Sequence, residues 1–568
     1  MAYFLKKTTR KNGTYLQIYE SYYNKGTKET SHKCFQSLGN INSLTNDEIP
    51  DPIAFYKDKV KQMNEDRKKE KEKETVMKIG DSPEKYLGYF LAKSIFYRLN
   101  LEKYIDILQG DRKFEYSIYE LVTSLVYARL LCPCSKTKTF HTILPKLFDS
   151  FQYSESQMYD GIAFIGYNYE KIIEIINTRL SRFYKIVTDK VYFDCTNFYF
   201  EIDRCDSFRK KGPSKENRKD PIIGMGLLLD SNQIPIGMKM YPGNESEKPV
   251  IRDSVKIMKN RLGVEGRTIQ VADKGLNCAK NIHIAMKNGD GYLFSKSVKQ
   301  LPEKEKVWVL LENDYIDVLD SNGKVKYKYK STIDLFTYSY TDENKKTHSF
   351  RVREKRIVTY NPTLAKKQIA EINKMVMKAS GLCASQAKKA EYGESSKYVV
   401  FNSTNEGEVV DDKIALTMNI EKIEKDKDLA GYNLLVTSEK NMDDLEIYQT
   451  YHNLWKIEES FRIMKTDLDA RPVFLQKEDS IKGHFLICYI SVLILRLLQY
   501  QLFNNELSSS RIIKFMRDFR VIQEPGNRYI NITQKSSETD YMTNKLDLPI
   551  DNYFLTKTQI KKVLSHRV

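Results

Sequence analysis

The run VYFDCTNFYFEI, residues 191–202, decides how this chain is read. Its valine, tyrosine, phenylalanine and isoleucine suit a strand inside a sheet. Asp194 interrupts the apolar run, and Cys195-Thr196 follow. An unpaired charge in a buried strand is costly, so this carboxylate calls for a cation. Two more strands follow, PIIGMGLLLD (221–230) and IPIGMKMYPG (234–243), joined by the turn Ser231-Asn232-Gln233. Next come a helix over 246–262, a short strand RTIQVADKG (267–275) ending at Asp273, a helix to about 287 and the strand GYLFS (291–295).

That order is β-β-β-α-β-α-β. An antiparallel meander followed by parallel βαβ units resembles a ribonuclease-H-like core, an α/β fold. A third acidic residue lies far downstream, after the buried strand GYNLLVTSE (431–439) and the helix start Asp443-Asp444. Tyr451, Glu458 and Lys465 recur every seven residues, so at ~3.6 residues per turn one continuous helix would carry them on one face. Glu459 lies about 100° round that helix, off the stripe. Asp467 and Asp469 are weaker rivals. Asp194, Asp273 and Glu458, from two strands and a helix, suit two divalent metals for phosphoryl transfer, Mg²⁺ or Mn²⁺. Tyr451 and Lys465 beside them suit DNA phosphates. His452 and His484 are read as structural.

Outward from this core, YFLKKTTRKNGTYLQIYESYYN reads as a β-hairpin about Asn12-Gly13, with KETSHKCFQSLG as a third strand. Lys6, Lys7, Arg10 and Lys11 cluster at its turn, as a DNA-contacting hairpin or a solvated loop. DRKKEKEKE (66–74) suits an exposed helix or linker, and Asp81-Ser82-Pro83-Glu84 a helix start. Residues 84–186 read as mostly helical. Arg129, Ser135 and Lys136, beside the Cys132-Pro-Cys134 turn, are candidates to face DNA, with a surface loop as the alternative. Residues 298–430 hold charged β-type pieces, among them VWVLLE (307–312), and a lysine-rich helix. This is too long for a loop, so it reads as a β-rich insertion domain. The expected organisation is 1–80 β-rich region and charged helix; 81–186 helical DNA-binding domain; 187–297 and 431–505 catalytic core; 298–430 insertion; 506–568 C-terminal region.

The chain has 568 residues, with 92 Lys and Arg against 75 Asp and Glu, a net charge of +17. Such an excess favours polyanions, nucleic acid before membrane. Eight scattered cysteines with no C-x-x-C argue against a disulfide framework and suit a reducing cytosol. MAYFLKKTTRKNG holds no stretch of signal-peptide character. The apolar run 485–495 falls short of the roughly 20 residues that cross a bilayer and reads as a buried core helix.

Taken together, these segments resemble the DDE transposases of bacterial insertion sequences, in the group with a β-rich insertion before the catalytic glutamate. That group's signature is Y-x-x-R-x-x-x-E-x-x-x-x-x-x-K. Tyr451, Glu458 and Lys465 fall in register with it, and Trp455 and Ile457 match its W-x-I-E context. PGNESEKP (242–249), VADKG (271–275), ARPVF (470–474) and GHFLICY (483–489) are also similar to family segments. Leu454 stands at the arginine position, which leaves Lys456 and Arg462 as candidates for its phosphate contact. The resemblance implies that Asp194, Asp273 and Glu458 are the catalytic, metal-holding triad. It further implies DNA contacts from Tyr451, Trp455, Lys456, Arg462 and Lys465. The implied reaction is hydrolysis at terminal inverted repeats, then attack of the freed 3′-OH on target DNA. A homodimer on DNA and a cytoplasmic, nucleoid-associated location without a membrane are the accompanying expectations. Two alternatives stay open: a ribonuclease-H-like nuclease without strand transfer, and an inactive transposase-derived DNA-binding repressor.

Overall fold

In a computed structural model the chain is a mixed α/β protein with several sheets. The structure describes residues 2–24, 29–75, 84–110, 112, 114–216, 218–384, 389–405, 408–524 and 528–567. The expected helix start at Asp81-Ser82-Pro83 lies outside the described residues. Two compact units form, one from residues up to Leu87 together with Phe519–Val563, the other chiefly Gly88–Asp518.

In the first unit, β1 (Tyr3–Arg10), β2 (Gly13–Asn24) and β3 (Glu29–Asn40) make a three-stranded antiparallel sheet. The hairpin falls where the sequence puts it, but its two turn residues are Lys11-Asn12, one position before the expected Asn12-Gly13, since Gly13 already pairs with Arg10. The highly charged segment continues as a helix, Pro52–Thr75, whose Asn64 side chain bonds both the N–H and the carbonyl of Tyr3 at 2.8 Å. The strand β4 (Lys85–Tyr86) belongs to a second sheet of this unit.

The second unit begins with helices, including Ile118–Leu131, Glu155–Tyr167 and Tyr169–Leu180. Its centre is a nine-stranded mixed sheet. The strands are β5 (Lys190–Tyr199), β6 (Ile222–Leu229), β7 (Pro235–Pro242), β8 (Ile269–Ala272), β9 (Gly291–Lys296), β10 (Ile316–Leu319), β11 (Val325–Thr341) and β12 (Thr347–Tyr360). A two-stranded ribbon, β13 (Val399–Asn405) and β14 (Glu408–Met418), stands apart, and β15 (Tyr432–Thr437) is the ninth strand. The spatial order is β10-β11-β12-β15-β9-β8-β5-β6-β7. β5, β6 and β7 form an antiparallel meander, and β8 and β9 run parallel to β5. Of the stretch 298–430, β10, β11 and β12 extend this sheet, and only β13 and β14 pair by themselves.

One segment corrects the sequence reading. VWVLLE was expected as strand, but Glu303–Leu310 is a helix. Pro302 precedes it, and Glu303 and Glu305 in its first turn complement the helix dipole. These signals outweigh the β preference of its valines.

The apolar run near the C-terminal third is the helix Glu478–Leu497, buried at every position from Gly483 to Leu497. By length and composition it passes as a membrane span, yet 94% of its apolar window lies inside the protein. It crosses the Glu155–Tyr167 helix at backbone contact. A Cβ on Gly483 would stand 2.1 Å from the Ile162 carbonyl oxygen, and one on Gly166 would stand 1.7 Å from that of Asp479. After the helix Ser509–Asp518, strands β16 (Arg520–Glu524), β17 (Arg528–Asn531) and β18 (Phe554–Thr556) join β4 in the four-stranded sheet of the first unit.

Candidate active site

Strand alternation sets which face of the central sheet carries the acids. Val191, Phe193 and Cys195 of β5 pack into the core with Val250, Ile251 and Val255 of the helix Lys248–Leu262. By the two-residue period, Tyr192, Asp194 and Phe198 point the other way. Tyr192 there meets the side chain of Asn453, and the Phe198 ring packs, tilted, 4.5 Å from that of Phe485. Asp194 thus lies on the face covered by the chain around 453–485. In the parallel β5–β8 pair, Phe193 is opposite Ala272. Asp194 and Asp273 directly follow this last pair, and the Asp273 charge acts on Asp194.

Asp273 is well held. Its Oδ1 accepts from the Ser295 hydroxyl at 2.8 Å and from the Tyr451 hydroxyl at 2.9 Å. Burial pushes its pKa up, but the Lys274 backbone N–H and these two hydroxyls outweigh burial and hold it below the ordinary value. Tyr451 is pushed up, by burial and by the Asp273 charge. Asp194 is not so served. Burial raises it to about 6; Lys215 opposes the rise, while Asp273 and Glu247 add to it.

The helix expected to run unbroken through Tyr451, Glu458 and Lys465 is interrupted. Asp444–His452 ends, Trp455–Arg462 starts anew, and Ile463–Asp467 widens into a π-turn. Between them the bonds Leu454 N–H to Tyr451 O, Lys456 N–H to Asn453 O and Ile457 N–H to Leu454 O are of the tight i to i−3 kind. Leu454, at this turn, is buried, at 5% exposure. The seven-residue stripe is therefore not one helical face. Tyr451 reaches Asp273 nonetheless, and Glu458 stands near enough that the Asp273 charge, added to burial, raises its pKa against the pull of Lys215.

The neighbour Glu459 is a different kind of residue. It is buried and bonded to Arg496 Nη1 at 2.9 Å, with Lys456 at 3.4 Å and Arg462 at 3.7 Å. Arg496 also bonds the Ser460 hydroxyl and the Lys456 carbonyl. This buried pair fixes the short helix to Glu478–Leu497 and leaves Glu458 facing outward. Lys456 and Arg462, the candidates to replace the signature arginine, both engage Glu459. Trp455 is half exposed, with Lys456 Nζ 4.2 Å from its ring centre. Lys465 lies 5.4 Å over the Phe198 ring and pairs with Glu216 at 3.2 Å, where Arg471 also binds.

Two residues that sequence reasoning missed stand among the acids. Lys215 Nζ is 3.9 Å from Asp194 Oδ1 and 3.6 Å from Glu247 Oε2, and it bonds the Cys195 carbonyl. Burial lowers its pKa, but the charges of Asp194 and Glu247 prevail and raise it. The loop that brings it there passes close to the end of β7. A Cβ on Gly212 would stand 2.0 Å from the Gly243 carbonyl oxygen. No period marks this loop. The only signal for Glu247 is its place in PGNESEKP.

The donors here are all carboxylate oxygens with one ammonium among them, a site short of positive charge. Such donors fit a hard divalent cation. Among the described residues, no group of three or more His, Cys, Asp and Glu side chains is arranged to hold a metal ion. Asp194 and Asp273 are adjacent, and the Lys215 amine lies between Asp194 and Glu247. Neither the protein-family models nor the curated proteins compared with this chain gave a match.

Proposed function

We propose that this chain is a DDE-type DNA transposase with a ribonuclease-H-like core, which hydrolyses the strand at transposon ends and joins the freed 3′-OH to target DNA. The observation that carries the reading is that Asp194 and Asp273 directly follow the last paired residues of β5 and β8, and that the Asp273 charge acts on both Asp194 and Glu458. Asp194 and Asp273, with Glu458 within electrostatic reach of Asp273, in a chain of net charge +17, suit chemistry on a polyanion. Asp194, Asp273 and Glu458 would hold Mg²⁺ or Mn²⁺, which when bound supplies Lewis-acid stabilisation of the charge that develops on phosphorus oxygens.

The other residues have roles set by their contacts. Tyr451 and Ser295 orient the Asp273 carboxylate and keep it ionised. Arg496 holds Glu459 and so aims Glu458. Lys215, among the acids, balances their charge and lies where a strand phosphate would approach. Lys465 and Arg471 line the same side, sharing Glu216. The basic hairpin turn of β1 and β2 is a candidate to read the ends, and two copies would pair them.

The test is a cleavage and joining assay. Duplexes carrying the DNA that flanks the coding region are incubated with the full chain and Mg²⁺. A pre-cleaved end is supplied in parallel. Nicking at the end and joining of the pre-cleaved strand to a plasmid support a transposase. Nicking alone points to a nuclease without strand transfer. End binding with neither reaction points to a repressor.

A further inference from the structure

Away from the acids, the second unit holds a cavity of about 310 Å³ between the segment after Leu131 and the segment 469–475. Arg129, Lys136 and His484 line it, all nearly buried. Sequence reading offered Arg129 and Lys136 as surface contacts, and the structure draws both inward.

The three basic groups differ in how they are satisfied. Arg129 donates to the carbonyls of Leu468 and Cys134 at 3.2 and 3.3 Å. His484 Nε2 meets the Ala470 carbonyl at 3.0 Å, so that nitrogen carries the proton. Burial and the charges of Lys136 and Arg129 keep its ring neutral, far below the usual histidine pKa. Lys136 is 7% exposed, and its ammonium has neither a hydrogen bond nor an ion pair among the described residues. Burial first, and Arg129 second, push its pKa down to about 7. A buried ammonium without a counter-ion is a strongly unfavourable group. Here it faces a space large enough for a ligand.

The remaining lining narrows the ligand. Tyr159 supplies a hydroxyl and an aromatic ring, and Phe474 presents a face that is 77% exposed. Asp469, the one acid among the lining residues, is exposed. Buried cations beside an exposed phenylalanine and a half-buried tyrosine match a phosphate bearing a flat base. We propose that this cavity is a nucleotide-phosphate site, with Lys136 and Arg129 holding the phosphate oxygens and Phe474 and Tyr159 flanking the base. The ligand is a free nucleotide or a nucleotide within a strand.

The test uses the full chain without divalent metal, so that it is independent of the carboxylate site. Binding of AMP and of inorganic phosphate is measured by calorimetry. Lys136 acylation is mapped by mass spectrometry with exposed Lys138 as the internal control. AMP should protect Lys136 and not Lys138. Lys136→Met, which removes the uncompensated charge and so should fold, should bind AMP at least about tenfold more weakly. Lys136→Arg should retain most of the binding. Displacement of AMP by a short single-stranded oligonucleotide identifies the strand as the source; AMP binding that the oligonucleotide leaves unchanged identifies a free nucleotide. Equal AMP binding by wild type and Lys136→Met, or no protection of Lys136 by any of the three probes, overturns the proposal.

Discussion

The hydroxyl of Tyr451 donates to Oδ1 of Asp273 across 2.9 Å, joining the end of one helix to the end of a β-strand. This bond survives the break in the helix that follows, and it is one reason Asp273 stays ionised while Asp194 does not readily do so. Tyr451→Phe should remove about 1.5–3 kcal/mol, the range for a hydrogen bond to a charged group. Asp273 is depressed in the folded state, so its contribution is present above the unfolded carboxylate pKa and is lost as pH falls through the folded one. The difference in thermal midpoint between wild type and Tyr451→Phe should therefore be largest near neutrality and shrink on acidification.

Asp194 has the opposite sign. Its folded pKa, about 6, lies above the ordinary carboxylate value. The folded state then binds the extra proton, and stability declines as pH rises between those two values. Asp194→Asn should raise the melting temperature at pH 7, by no more than about 3 kcal/mol of stability, and should have little effect near pH 4. Added Mg²⁺ should stabilise the wild type and leave Asp194→Asn unmoved.

Arg496 and Glu459 are buried together. Arg496→Met leaves the Glu459 carboxylate without its main partner, at a cost of about 3–5 kcal/mol. The double variant Arg496→Met with Glu459→Met should recover most of that loss in a denaturation series, because the cost lies in the orphaned charge.

Gly483→Ala places a methyl carbon where the Ile162 carbonyl oxygen already stands 2.1 Å away. Both atoms at that crossing belong to helix backbones, so neither side can yield by a rotamer change. A loss of at least about 1–3 kcal/mol is expected, read as a lower melting temperature, whereas exposed Ala substitutions on the same unit should be nearly silent.

Much of the central sheet is legible in the sequence because β5 to β9 are short apolar runs, several buried along nearly their whole length, bounded by turn residues. Asp194 could be singled out because a charge inside such a run is conspicuous. The helix break at Asn453-Leu454 could not, since Tyr451, Glu458 and Lys465 keep a seven-residue spacing whether or not the helix is continuous. Leu454 at the break is buried, a tertiary contact that the spacing does not report. Lys215 was invisible for a related reason: it sits on an irregular loop, carried to Asp194 by the close approach of Gly212 to Gly243 and by Asn197, whose side chain bonds the Pro213 carbonyl and the Lys215 N–H. VWVLLE misled because valines favour a strand while Pro302 and the glutamates after it start a helix.

The proposed chemistry requires Asp194 and Asp273 to share a divalent ion with Glu458. Anomalous diffraction from crystals of the full chain grown with Mn²⁺ tests this most directly. The expected result is a manganese peak touching both aspartates, with Glu458 closing on it and the Lys215 amine displaced from Asp194. Manganese absent from this site, with Lys215 still between Asp194 and Glu247, would contradict it.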